Sequence, residues 1–146
     1  MIRRLVSTAL LCAALSPGLA LADEDPRTSI ELEPEQRAAV LGEMRQFMEA
    51  IDTILASALA EDMAAVTEAS RPMGMEAVRR TPASIKQAMP AGFMKMGRKT
   101  HLVFEQIAQD AEDLGDPRHT LEQLNRATAL CVSCHRTYRF ESHAGD

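Results

Sequence analysis

Cys131-Val132-Ser133-Cys134-His135 stands close to the C-terminus of a chain of 146 residues. The spacing C-x-x-C-H is that of a c-type haem attachment site. Two thiols so placed form thioether bonds to the two vinyl groups of a porphyrin, and the adjacent imidazole reaches the iron as its proximal axial ligand. Three other readings of the cysteines are weaker. A thioredoxin-like redox pair accompanies a βαβ pattern, and no strand alternation flanks this one. A zinc site needs a second pair of ligands at ligand-like spacing, but Cys12 falls in a segment expected to be removed, and the His residues are scattered. A disulfide across three positions closes too short a loop to stabilise much.

Upstream of the motif the periodicity is helical. Asp116-Pro117 combines an N-cap with a proline at the first helical position. Leu121, Leu124, Thr128, Cys131, His135 and Tyr138 then recur at steps of three or four. The attachment residues therefore lie on the core-facing stripe of a last helix. A third helix is expected over about 91–114, with Phe93, Met96, Gly97, His101, Phe104, Ile107, Ala108 and Ala111 on its inner face and Gly115 as its C-cap. Before it, 81–92 reads as a crossover in which Ile85, Ala88 and Met89 cover one end of the core. A second helix starts at the N-cap Asp62 and is kinked or split by Pro72 and Gly74. A first helix runs from Pro34 to about Ala60, with Val40, Leu41, Met44, Phe47, Met48, Ile51, Ile54, Leu55 and Ala58 as its apolar stripe. Glu43, Arg45, Glu49 and Asp52 take its other side.

The N-terminus reads as an export signal. Arg3 and Arg4 precede an apolar run, Leu5 to Leu15, and Ala20-Leu21-Ala22 is an A-x-A cleavage site. The organisation expected is thus a removed signal over 1–22, a flexible lead-in over 23–33 and one domain over 34–146. The compartment implied is the bacterial periplasm, where haem is joined to such motifs. Removal of the signal leaves 14 basic side chains against 21 acidic, a formal charge of −7. That balance argues against nucleic acid and anionic membranes as partners, and it suits a basic redox protein. Four helical segments with short connections predict an all-α four-helix bundle, whose cofactor sites lie between facing helices. Aromatic residues make up 3% of the chain and Trp is absent. Haem would then be the largest buried apolar surface, and the chain without it is expected to fold poorly.

The sixth position of the iron is open among three residues. With about 1.5 Å of rise per helical residue, Leu41, Met44 and His101 all reach the level of His135. Met44 would give His/Met ligation, which raises the potential; its other reading is core packing. His101 would give a bis-His haem; its other reading is a core histidine with a hydrogen-bond partner. With no side chain bound, Leu41, Met44 and Phe47 form an apolar wall over an iron open to NO or CO. Arg37 and Arg139 are candidates to pair with the propionates. His119 and His143 are expected to be solvated.

The motif continues as Arg136-Thr137-Tyr138-Arg139, giving the ending C-H-x-x-Y-R, and Gly115-Asp116 precedes the last helix. On these residues and the four-helix pattern the chain resembles class II cytochromes c, the cytochrome c′ and cytochrome c556 group. The resemblance implies one covalent haem c, anchored by Cys131 and Cys134 with His135 on the iron. It places a distal residue on the first helix, commonly four positions after an Arg. Counting from Arg37 gives Leu41 and a c′-like open iron; the best-placed Met is Met44. The expected function is single-electron transfer through a His/Met haem, without chemistry on a substrate, so not an enzyme. The alternative is a c′-like protein that binds NO or CO. The group often pairs through its first helices, so the resemblance also implies a homodimer.

Overall fold

The computed structural model describes residues 25–142. The expected signal over 1–22 and His143 lie outside the described residues. In order, the elements are β1 (Thr28–Leu32), α1 (Pro34–Leu59), α2 (Met63–Ser70), α3 (Met75–Arg80), α4 (Ala83–Ala88), α5 (Ala91–Asp113), α6 (Pro117–Thr137) and β2 (Tyr138–Ser142). The described chain is mostly helical.

Local chemistry accounts for the breaks. Glu33 and Gln36 form a reciprocal capping box at the start of α1, which satisfies backbone donors that the helix leaves free. Asp62 accepts from the Ala65 N–H at 3.0 Å and starts α2. Pro72 lacks a backbone donor, and the chain tightens to a 3-10 turn over Arg71–Met73 before α3. Glu105 on α5 accepts from the Met75 N–H at 2.9 Å and ties that break to the next long helix. Gly115 takes φ +60, a left-handed conformation open to glycine at little cost. Asp116 then caps α6 by accepting from the Arg118 N–H at 2.9 Å.

Helix α1 packs against α2 and α6, and α5 packs against the same two. Where the four meet, Ile54, Val66, Phe104, Ile107 and Ala127 are fully buried. A second cluster gathers Ile30, Leu32, Val40, Ile85 and Met89. At the α2 end, Asp110 on α5 holds α6. His119 Nε2 lies 2.8 Å from its Oδ2, Gln123 donates to the same oxygen at 2.6 Å, and Gln106 donates to Oδ1 at 2.7 Å. His119 is thus paired and half-buried, whereas the sequence reading leaves it solvated.

The ends of the domain also differ from expectation. The lead-in expected to be flexible contains β1, and Tyr138, expected on the stripe of the last helix, instead opens β2, which runs to Ser142. The two strands pair in parallel, Thr28 opposite Tyr138 through Leu32 opposite Ser142. A parallel pair needs a crossover between its strands, and here the whole helical body is that crossover. The all-α expectation is corrected accordingly: a mostly helical chain closed by one two-stranded sheet. Ile30 and Leu32 alternate inward. Five residues carry too little pattern to register as a strand when the partner lies at the far end of the sequence.

Phe104→Ala is expected to cost about 3–5 kcal/mol, read as a lower midpoint in urea unfolding. Hydrogen bonding to His119 is the main cause that holds the Asp110 carboxyl below its usual value, ahead of its bonds to Gln106 and Gln123. A depressed carboxyl stabilises above its unfolded pKa, about 4, and that contribution is lost as pH falls through the native value. Asp110→Asn is therefore expected to lower stability at neutral pH, and the gap to the parent protein should close on acidification below about pH 4.

Candidate cofactor site

Cys131, Cys134 and His135 occupy the last turns of α6. Positions i, i+3 and i+4 of a helix share a face, so one turn delivers two thiols and an imidazole to the same wall. That wall borders a cavity of about 260 Å³. Val40, Glu43, Met44 and Phe47 of α1 line it, with Ile85 of α4, Met89, and Phe93 and His101 of α5. An adjoining cavity is lined by Arg27, Arg37, Leu41, Tyr138, Arg139 and Phe140. Met44, Phe93, Cys134 and His135 border both. The residues singled out in the sequence, Cys131, Cys134, His135, Leu41, Met44, His101, Arg37 and Arg139, therefore line these two adjoining cavities.

Both thiols are half-buried. Burial pushes the Cys131 thiol up. It does the same to Cys134, and the neighbouring Cys131 adds to it. A reactive thiolate needs the opposite, a helix N-terminus or an adjacent cation that lowers its pKa. The pair sits near a helix C-terminus, where the macrodipole disfavours negative charge. His135 is exposed at the mouth, and Arg27 donates to its backbone carbonyl at 3.4 Å.

The two arginines differ from ordinary surface cations. Nε of Arg37 and Nε of Arg139 are buried without a hydrogen-bond partner. Arg139 meets Glu141 through Nη1, and its Nε lies 3.8 Å from Asp25 Oδ2. Buried donors are nearly always satisfied. Two such orphans beside one cavity mark a place that suits carboxylates.

His101 is buried, and its Nδ1 lies 2.8 Å from the Met73 carbonyl oxygen. A carbonyl only accepts, so Nδ1 carries the proton. The Phe47 ring leans on the imidazole at a centroid distance of 5.1 Å. Nε2 lies 3.8 Å from Glu43 Oε1. His101 has the partner that a core histidine needs, yet it also lines the cavity. Glu43, expected on the outer side of α1, lies instead on the cavity wall. It borders the cavity because the inward face of α1 widens at this end to take in positions 40, 43, 44 and 47. Phe93 meets Tyr138 and Phe140 edge-on at 5.6 and 5.5 Å, which ties the start of α5 to β2. A paired strand after α6 is what makes that contact, and no local signal announced the strand.

Among the described residues, no group of three or more His, Cys, Asp or Glu is placed to hold a bare metal ion. A structural zinc needs four such ligands, whereas a porphyrin iron needs only one or two from the protein. No helix among the described residues is long and apolar enough to cross a membrane. Comparison of the chain with protein-family models, with curated proteins and with solved structures finds no match.

His101→Phe keeps an aromatic ring against Phe47 and strands the Met73 carbonyl. A loss of about 1–3 kcal/mol is expected, measured as a fall in the unfolding midpoint.

Proposed function

We propose that this chain is a periplasmic monohaem c-type cytochrome that carries single electrons. Its four helical limbs, α1, α2 with α3, α5 and α6, then form a four-helix bundle of the cytochrome c′ and c556 kind. The observation that carries the reading is the convergence on one apolar region of a C-x-x-C-H turn, a facing Met44 and two arginines with unpaired buried nitrogens.

The residues fit a covalent haem. Cys131 and Cys134 are close enough on one helical face to bind two vinyl carbons as thioethers. Their raised pKa values matter little there, because the thioether bonds are permanent. His135 follows on the same face and would hold the iron through its imidazole. The apolar lining suits a porphyrin, and Arg37 and Arg139 suit its two propionates, which would supply hydrogen bonds that their Nε atoms otherwise lack. When bound, haem supplies an iron that shuttles between two oxidation states. Met44, a soft thioether on the opposite wall of the cavity, would hold the iron together with His135, a ligand pair that favours a raised potential. The exposed His135 and Val132, 50% exposed, keep the attachment edge at the surface, where an electron has a short path out. His101 is a wall residue. Its Nδ1 is engaged by the Met73 carbonyl, and its Nε2 lies 3.8 Å from Glu43 Oε1.

One observation favours a second reading. Leu41 follows Arg37 by four residues and lines the adjoining cavity with His135. With Leu41 rather than Met44 over the iron, the site is c′-like and takes NO or CO.

Optical spectra separate the two. The expected result is a low-spin ferrous spectrum that changes slowly if at all under CO; a high-spin ferrous form that takes up CO at once would sink the His/Met assignment. Met44→Leu should convert the first spectrum into the second. Haem staining should survive denaturation in the parent protein and be lost in the Cys131→Ala/Cys134→Ala double variant.

A further inference from the structure

Net charge hides a segregation of charge along the molecule. From Ala77 to Phe104 there is no acidic residue, while Arg79, Arg80, Lys86, Lys95, Arg98 and Lys99 fall there. From Gln123 to Phe140 there is again none, with Arg126, Arg136 and Arg139. The acidic side chains of α5 and its C-terminal turn, Glu105, Asp110, Glu112 and Asp113, gather in its second half. Helices α5 and α6 pack along each other, and the basic half of α5 lies beside the basic half of α6. A groove between them shows this directly. Leu102, Val103, Ala129 and Leu130 form its floor, and Lys99 and Arg126 flank it. Leu102 is 44% exposed. Leu130 immediately precedes Cys131, so the groove borders the attachment turn.

Lys95, Arg98, Lys99, Arg126 and Arg136 are all exposed. None of them makes an ion pair among the described residues. An incoming protein feels mainly the charges within a Debye length, about 8–10 Å at physiological salt. Of the acidic groups one turn away, Glu122 pairs with Arg118 and Glu105 accepts from the Met75 N–H, so the unpaired basic rim sets the sign of the approach. Net charge favours a basic partner; the local field favours the reverse.

We propose that the groove flanked by Lys99 and Arg126 docks an acidic face of the protein that exchanges electrons with the haem at Cys131 and Cys134. The proposal rests on the cytochrome reading. Apolar floor and charged rim divide the work, contact area from one and steering from the other. The exchange moves one electron and breaks no bond.

Two measurements on the haem-loaded protein test it. The first is binding of fluorescently labelled poly-L-glutamate, followed by anisotropy. Binding is expected at low salt, lost at high salt, and weakened about tenfold or more in Lys99→Glu/Arg126→Glu. Arg118→Glu, at the other end of α6, should bind as the parent does. The second is oxidation of the ferrous protein by ferricyanide, which takes one electron and becomes ferrocyanide. Its rate should fall as salt rises, and the double variant should be slower at low salt only. A rate that climbs with salt, or a double variant that binds poly-L-glutamate as well as the parent, overturns the docking site. So does tighter binding to a short DNA duplex or to phosphatidylglycerol vesicles than to poly-L-glutamate. Haem staining distinguishes the two levels. A chain without covalent haem overturns the cytochrome reading and this proposal with it, whereas stained protein that fails the binding tests overturns the docking site alone.

Discussion

One helical turn at the end of α6 is the constraint on which the functional end depends. Residues three and four apart on a helix share a face, so Cys131, Cys134 and His135 meet the interior together or not at all. The face that α6 turns inward is set lower down, where Thr120, Gln123, Leu124 and Ala127 are buried. The Asp110 contacts to His119 and Gln123 add polar pins to the same orientation. A rotation of α6 by one residue would cost that packing and would also carry both thiols away from the cavity.

The interior is divided to match. Around Phe104, Ile54 and Ile107 the limbs meet side chain to side chain, at the close packing expected of a protein core. Toward the ends of the chain, a second cluster around Leu32, Val40 and Ile85 closes the top. The apolar cavity lies between, walled by members of both clusters. The short parallel sheet belongs to this upper part. It brings Arg27 and Arg139 beside His135, and it seats Tyr138 and Phe140 against Phe93. The β1–β2 pair thus does for the site what the Asp110 contacts do for the far end.

Charge follows the same division. The halves of α5 and α6 nearest Cys131 carry only basic charges, and the acidic side chains of α5 gather in its other half. A sum over all residues returns only the excess of acid, which governs solubility more than recognition. Arg37 and Arg139 turn part of the basic excess inward, and Lys99 and Arg126 carry part of it on the rim.

Much of this was legible in the residues. Helical periodicity marked α1, α5 and α6 because each runs for many turns and buries one stripe, and Pro72 with Gly74 marked the break after α2 because both act on the local backbone. The spacing of Cys131, Cys134 and His135 identified a shared face, since that depends on nothing beyond a single helix. What the tertiary structure decided involves partners distant in sequence. The pairing of β1 with β2, the place of Glu43 on the cavity wall, the bond from His101 to the Met73 carbonyl, and the two arginine nitrogens buried without partners each depend on how separate helices are set against one another. A local pattern constrains which face of an element is apolar; it carries no information on which polar groups of other elements that face will meet.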